Sequence, residues 1–228
     1  MKSTLLIIFT IGFVLCFPDS SRSSSQEVTN GLSAYSRDEY STAFDLFTKS
    51  AEVNDPEGLY YLGRLHIRGE GTKKNDYKAY KLIKKSAELH FVDAEYLLGI
   101  MYLTGTGIGT DRKTALHWFE RAGEQGHTKA QYRAAEISIS KWPPDKSLNL
   151  YEKAARSGHV EAQFKLGGNL LLLAKNQDDR IKTYYWLKIA ANNGHKKAAS
   201  LLKTSVTYLS AEELIEAEKL VKNWEDAQ

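Results

Sequence analysis

The chain has a single cysteine, Cys16, among 228 residues, so no disulfide framework can be built from it. Four prolines and 16 glycines are too few for a collagen-like or low-complexity chain. Charge of one sign is missing as well. Lys+Arg 31 against Asp+Glu 28 leaves a formal net charge of +3 with both signs interspersed, unlike the concentrated basic surface that nucleic-acid binding needs. With 42% apolar residues the chain is not disordered, and its length allows one large domain or two small ones.

One apolar run stands out, from Leu5 to Phe17, broken only by Thr10 and Gly12. At about 13 residues it falls short of the roughly 20 needed to span a bilayer. Lys2 precedes it and the polar stretch Pro18 to Ser25 follows, so residues 1–20 read as a secretory signal peptide and 21–25 as a linker. Cleavage after Cys16 would place Val14 and Cys16 at the two recognition positions. A bacterial lipoprotein signal is the other reading, with a lipid anchor on Cys16, but Phe13-Val14-Leu15 fits it poorly because a small residue is expected before the cysteine. Both readings put the protein in the periplasm or outside the cell, with no membrane span after signal removal. Both also take the only thiol out of the folded part, and thiol catalysis and Cys-based metal sites go with it.

The rest is periodic. Segments starting at Gly58, Ala94, Ala130, Ala162 and Ala198 lie 36, 36, 32 and 36 residues apart. In the first four, the third residue is aromatic (Tyr60, Tyr96, Tyr132, Phe164) and the sixth is small (Gly63, Gly99, Ala135, Gly167). Each unit reads as two helices. The first stops at a glycine cluster, Gly69-Glu-Gly71 or Gly105-Thr-Gly-Ile-Gly109. The second starts at Asn75/Asp76 or Asp111, whose short side chains can cap free amides, and closes at His90, Gly126, Gly158 or Gly194. Small residues at fixed offsets, such as Gly63, Gly99 and Ala154, mark close helix crossings. The third unit departs from this pattern. It is four residues shorter and carries Ile139-Ser-Ile-Ser-Lys-Trp-Pro-Pro-Asp145 in place of the Gly-x-Gly turn.

Flanking pieces complete the array. Residues 26–54 form an opening helical hairpin, 55–205 hold four repeats and the start of a fifth, and 206–228 form a capping helix led by the capping box Ser210-Ala-Glu-Glu213.

Together these offsets resemble the Sel1-like repeat, a relative of the tetratricopeptide repeat. The match is nearly complete in the second full unit: Ala94, Tyr96, Leu98, Gly99, Tyr102, Gly105, Gly107, Asp111, Ala115, Trp118, Ala122 and Gly126. The resemblance covers about 30–226 and implies an all-α, right-handed α/α superhelical solenoid of TPR-like helix-turn-helix repeats. It also implies a protein-binding scaffold. Exported relatives without other domains serve in envelope signalling, in host-cell entry, or as periplasmic immunity proteins that neutralise a delivered toxic effector. The expected partner is therefore an effector toxin, an envelope protein or a host protein, and not nucleic acid. The competing class is a secreted hydrolase acting on the cell wall or β-lactams, and a third is a structural component of an envelope complex.

No motif for chemistry emerges. His127, His159 and His195 each follow a helix-closing glycine on successive units, too far apart to share a metal ion, and no His-Glu-x-x-His spacing occurs. The glycine turns follow helices rather than strands and lack the Gly-Lys-Ser/Thr of a phosphate loop. No cofactor and no catalytic group is expected. Trp118 and Trp186 share one offset and read as core, whereas Trp142 sits in the irregular loop beside Pro143 and Pro144, where it could anchor a partner.

Surface shape remains. In a solenoid whose first helices line the concave face, the fourth and seventh residues of each first helix project into the groove. These are Tyr61 and Arg64, Leu97 and Ile100, Arg133 and Glu136, then Lys165 and Gly168. An apolar centre at Leu97 and Ile100 with cations on both sides predicts an extended or helical partner segment of acidic-amphipathic character.

Overall fold

The computed structural model describes residues 20–139 and 145–227, and among them lie twelve helices and no strand. Five helical hairpins and a closing pair of helices follow one another: α1 (Ser20–Ser36) with α2 (Tyr40–Glu52), α3 (Pro56–Arg68) with α4 (Asp76–Glu88), and α5 (Val92–Thr104) with α6 (Arg112–Glu124). Then come α7 (Thr128–Ser138) with α8 (Asp145–Arg156), α9 (Val160–Leu173) with α10 (Gln177–Asn192), and α11 (Lys196–Val206) with α12 (Ala211–Glu225). Each helix packs on its successor up to α11, and α12 docks along α10, which makes the chain an all-α repeat solenoid.

The helix ends follow from local chemistry. Asn75 accepts from Lys78 N, and Asp111 from Lys113 N and Thr114 N, which fixes the starts of α4 and α6. Asp55 does the same for α3, with Pro56 at the first helical position, where its missing N–H costs nothing. Both halves of the Ser210–Glu213 capping box are formed at α12. The segment 21–25 differs from the linker expected of it, because α1 begins at Ser20 and runs through it. The stretch contains no Gly or Pro, and once Val28 and Ala34 are buried, extending the helix adds one hydrogen bond per residue without a second nucleation.

The small residues sit at crossings. A Cβ added to Gly99 would lie 2.6 Å from the Phe119 ring, and one added to Gly167 would lie 2.8 Å from Leu187, so a larger residue would force first and second helices apart. Gly107 has a second role. Its φ is +73°, and a Cβ there would strike the Asp76 carbonyl at the start of α4, so the Gly-x-Gly turn of one unit seats on the second helix of the unit before it. The core runs along the hairpins as linked clusters, from Phe47, Leu62 and Leu65, through Ile83, Leu98 and Trp118, to Tyr151, Leu166 and Trp186. Fully buried aliphatic and phenylalanine side chains such as Phe47, Leu65, Ile83 and Leu98 contribute about 1.5–3 kcal/mol each. Among the described residues, no helix is long and apolar enough to cross a membrane.

Candidate partner-binding groove

Within α5, Ala94, Leu98, Gly99 and Met101 are buried, which leaves Leu97 and Ile100 on the helix's other face, half-buried. The same register leaves Tyr61 and Arg64 of α3, Arg133 and Glu136 of α7, and Lys165 and Gly168 of α9 half-buried, one pair per repeat. Leu97 packs against the Ile83–Leu98 cluster and Ile100 against the Phe119–Ile137 cluster, so the apolar centre is held from below on both sides. Trp142 lies outside the described residues.

The charges along this row are not equivalent. Arg133 Nη1 donates to Glu136 at 2.9 Å, and Glu136 also accepts from the Tyr132 hydroxyl at 2.9 Å. Lys165 stands 4.0 Å from Glu161. Among the described residues Arg64 has no carboxylate partner. Its guanidinium lies over the rings of Tyr60 and Tyr61, 5.4 and 5.6 Å from their centroids, and Tyr61 stacks on Phe47 at 5.1 Å. Farther down the same helix, burial and the neighbouring Asp55 and Asp93 push the Glu57 carboxyl above its ordinary range.

The histidines have a structural task that the sequence left open. Nδ1 of His127, His159 and His195 accepts from the N–H of Ala130, Ala162 and Ala198 at 3.1 Å, so each caps the first helix of the next unit. Each ring also stacks on the third-position aromatic of the unit that it closes: Tyr96 at 4.4 Å, Tyr132 at 4.5 Å and Phe164 at 4.2 Å. Burial holds His127 and His159 below the usual imidazole value, which favours the neutral ring the cap requires. Among the described residues no group of three or more His, Cys, Asp or Glu is placed to hold a metal ion.

Sequence reasoning also missed a cleft of about 630 Å³ away from the row, between α8, α9, α10 and α12. Leu148, Leu166, Leu170, Tyr185, Trp186 and Trp224 form its apolar lining. Its rim charges are engaged: Arg156 with Glu152 at 2.6 Å, and Asp179 with the Lys175 amide at 2.9 Å, although Lys182 is exposed there.

The model of the Sel1 repeat matches residues 29–55, 56–91, 92–127, 144–159 and 160–195, well over half of the chain. The protein belongs to the Sel1 repeat family. The Sel1 match omits the first helix of the third unit and the segment after it, the stretch that breaks the 36-residue period. Among solved structures the chain is similar to a Sel1 repeat protein from Oxalobacter formigenes, at 26% identity and a TM-score of 0.70, covering 93% of this chain and 89% of that one. It also shares the fold of c5321, a protective antigen of uropathogenic Escherichia coli, at 22% identity and a TM-score of 0.64. Here the match covers 90% of this chain but only 54% of the antigen's. A search of the curated proteins finds no match. Sel1 repeats mediate protein–protein interaction.

Proposed function

We propose that this Sel1 repeat protein is an exported scaffold that binds one partner protein along the row of first-helix side chains. The observation that carries the reading is the half-buried pair Leu97 and Ile100, supported by two core clusters yet left uncovered at the centre of the row. Apolar centres ringed by polar residues are the usual anatomy of a protein interface. Beside them the only groove cation without a carboxylate, among the described residues, is Arg64, which favours a partner segment that presents apolar side chains together with negative charge. The signal-like N-terminus supports a partner in the cell envelope or outside the cell. An effector toxin neutralised by this protein as its immunity protein, an envelope signalling component and a host protein are the specific cases.

Affinity capture from a bacterial envelope extract, with wild type and a Leu97→Asp, Ile100→Asp double variant compared, tests the reading. The expected result is a specific partner retained by wild type and lost by the variant while its helicity is unchanged. Equal capture by the folded variant moves the site elsewhere. Turnover of peptidoglycan or β-lactams by the pure protein, lost on the same substitutions, would overturn the scaffold reading in favour of a hydrolase.

A further inference from the structure

Between α1 and α3, at the first-unit end of the groove, lies a recess of about 160 Å³ lined by Leu32, Tyr35, Phe47, Tyr61, Arg64 and Leu65. Its position follows from the repeat. Gly31 crosses α2 at Phe47 as Gly63 crosses α4 at Ile83, so Leu32 occupies in α1 the register that Arg64 occupies in α3, and the recess opens between consecutive groove positions. Phe47, 1% exposed, is the floor, and Tyr61 stacked on it is one wall. Tyr35 is the other wall, fixed by its hydroxyl, which donates to Glu70 at 2.9 Å and accepts from Arg68.

Two quantities specify the occupant. A cavity of about 150 Å³ with apolar walls holds a molecule the size of benzene, so the recess accepts one phenyl ring or leucine-sized side chain. Arg64 lines the same recess, half-buried over two tyrosine rings and, among the described residues, without a counter-ion. The neighbouring Arg68 and Glu70 already face each other at 3.7 Å and supply no surplus charge. A planar guanidinium held in this way is prepared for a carboxylate, which it binds through two parallel hydrogen bonds.

We infer that the recess takes the C-terminal residue of the partner protein, with its apolar side chain seated on Phe47 and its α-carboxylate on Arg64. The inference rests on the groove reading and gives it one anchor. Because Arg64 is itself part of the wall, the anion must lie within a few bonds of the inserted side chain. An α-carboxylate is attached to the same Cα as that side chain, whereas in an extended segment the side chains of the adjacent residues point to the opposite face.

The probe is the peptide acetyl-Gly-Ser-Gly-Ser-Phe, titrated into the full chain as the free acid and as the C-terminal amide, with NMR of the Gly31 and Leu65 amides as the readout. The free acid should bind saturably and at least tenfold more tightly than the amide. Arg64→Gln, checked for wild-type helicity, should abolish that difference, and Leu32→Trp, which fills the recess, should remove both. Equal affinity for acid and amide, or an acid preference that survives Arg64→Gln, would overturn the inference. So would an amidated peptide with Asp before the Phe that binds as well as the free acid, because it would assign the anion to a side chain. If no peptide binds while the Leu97→Asp, Ile100→Asp variant still loses its captured partner, the recess reading falls and the groove reading stands.

Discussion

The two full units between Gly58 and His127 and the two between Thr128 and His195 are built on one plan but finished differently. In the first pair a Gly-x-Gly turn ends each first helix, and its second glycine, Gly71 or Gly107, seats against the first residue of the preceding unit's second helix. In the second pair that turn is absent from the sequence: α9 ends at Ala174 in an extended conformation, and α10 has 16 residues where α4 and α6 have 13. The cleft of about 630 Å³ lies beside these second helices, and aromatic side chains line it, with Trp224 of α12 set edge-on to Trp186 at 5.8 Å and to Tyr185 at 6.3 Å. The comparison teaches that the glycine turn is a spacer between neighbouring repeats as well as a helix stop. Where it is missing, the terminal helix supplies the packing instead.

The strongest attack on this contrast is Gly107→Ala. A left-handed alanine costs about 1–2 kcal/mol, and the collision with the Asp76 carbonyl adds about 1–3 more. Urea unfolding should therefore show a loss of about 3 kcal/mol. Gly126→Ala, at φ +88° but with open space around its Cβ position, should lose only the conformational part, about 1–2 kcal/mol. Equal losses at the two sites would remove the spacer role.

Trp224→Ala addresses the other half and should cost about 2 kcal/mol, less than a fully buried Trp because this one is half-buried. In a solenoid the damage stays near its source. Hydrogen exchange should show lost protection in α10 and α12, with α3 to α6 unchanged. Uniform loss across all helices would mean that the halves do not behave separately.

Much of this was legible because repetition multiplies weak signals. One Asp before an apolar stretch says little, but Asn75 and Asp111 at the same offset gave both helix starts, and Gly63, Gly99 and Gly167 gave the crossings. The histidine stacks were not legible, since Tyr96 and His127 stand at opposite ends of one unit and become neighbours only when the helices pack. The charges of the groove were visible as residue types. The Arg133–Glu136 spacing allows a pair on one helix face, but it does not say that Glu136 also takes the Tyr132 hydroxyl or that Arg64 lies over two tyrosine rings. The cleft beside α12 depends on where the last helix docks, and amphipathic spacing leaves that choice open.

Acid should separate the halves by a smaller amount. At the turn between the first pair of units the ring in this place is Phe91, tilted at 54° to Tyr60, and it cannot titrate, whereas the later turns carry His127 and His159. Burial lowers the folded-state value of both, so the unfolded chain takes up protons first as pH falls. Their contribution is complete above the unfolded value of about 6.5 and is lost as pH drops through it toward the folded values. Asp93, 3.5 Å from His127, limits the effect at that site, and buried His66 in α3 adds a loss of the same sign. Replacing both capping histidines with Asn, which keeps the cap acceptor, should flatten the fall in urea midpoint between pH 7.5 and 5.5. An unchanged slope would assign the acid sensitivity to His66 or the carboxylates.

The smallest effect concerns the groove itself, where the first half leaves Arg64 unneutralised and the second half pairs Arg133 with Glu136. Glu136→Gln gives the second half the same free cation. The pair is partly exposed, with side chains 43% and 34% accessible, so solvent already screens it. Gln also still accepts from the Tyr132 hydroxyl. The expected loss in urea unfolding is below about 1 kcal/mol. Because the substitution changes the groove's charge far more than the fold's stability, a loss above about 2 kcal/mol would make the pair a structural tie, and the electrostatic difference between the halves would then be a by-product of packing.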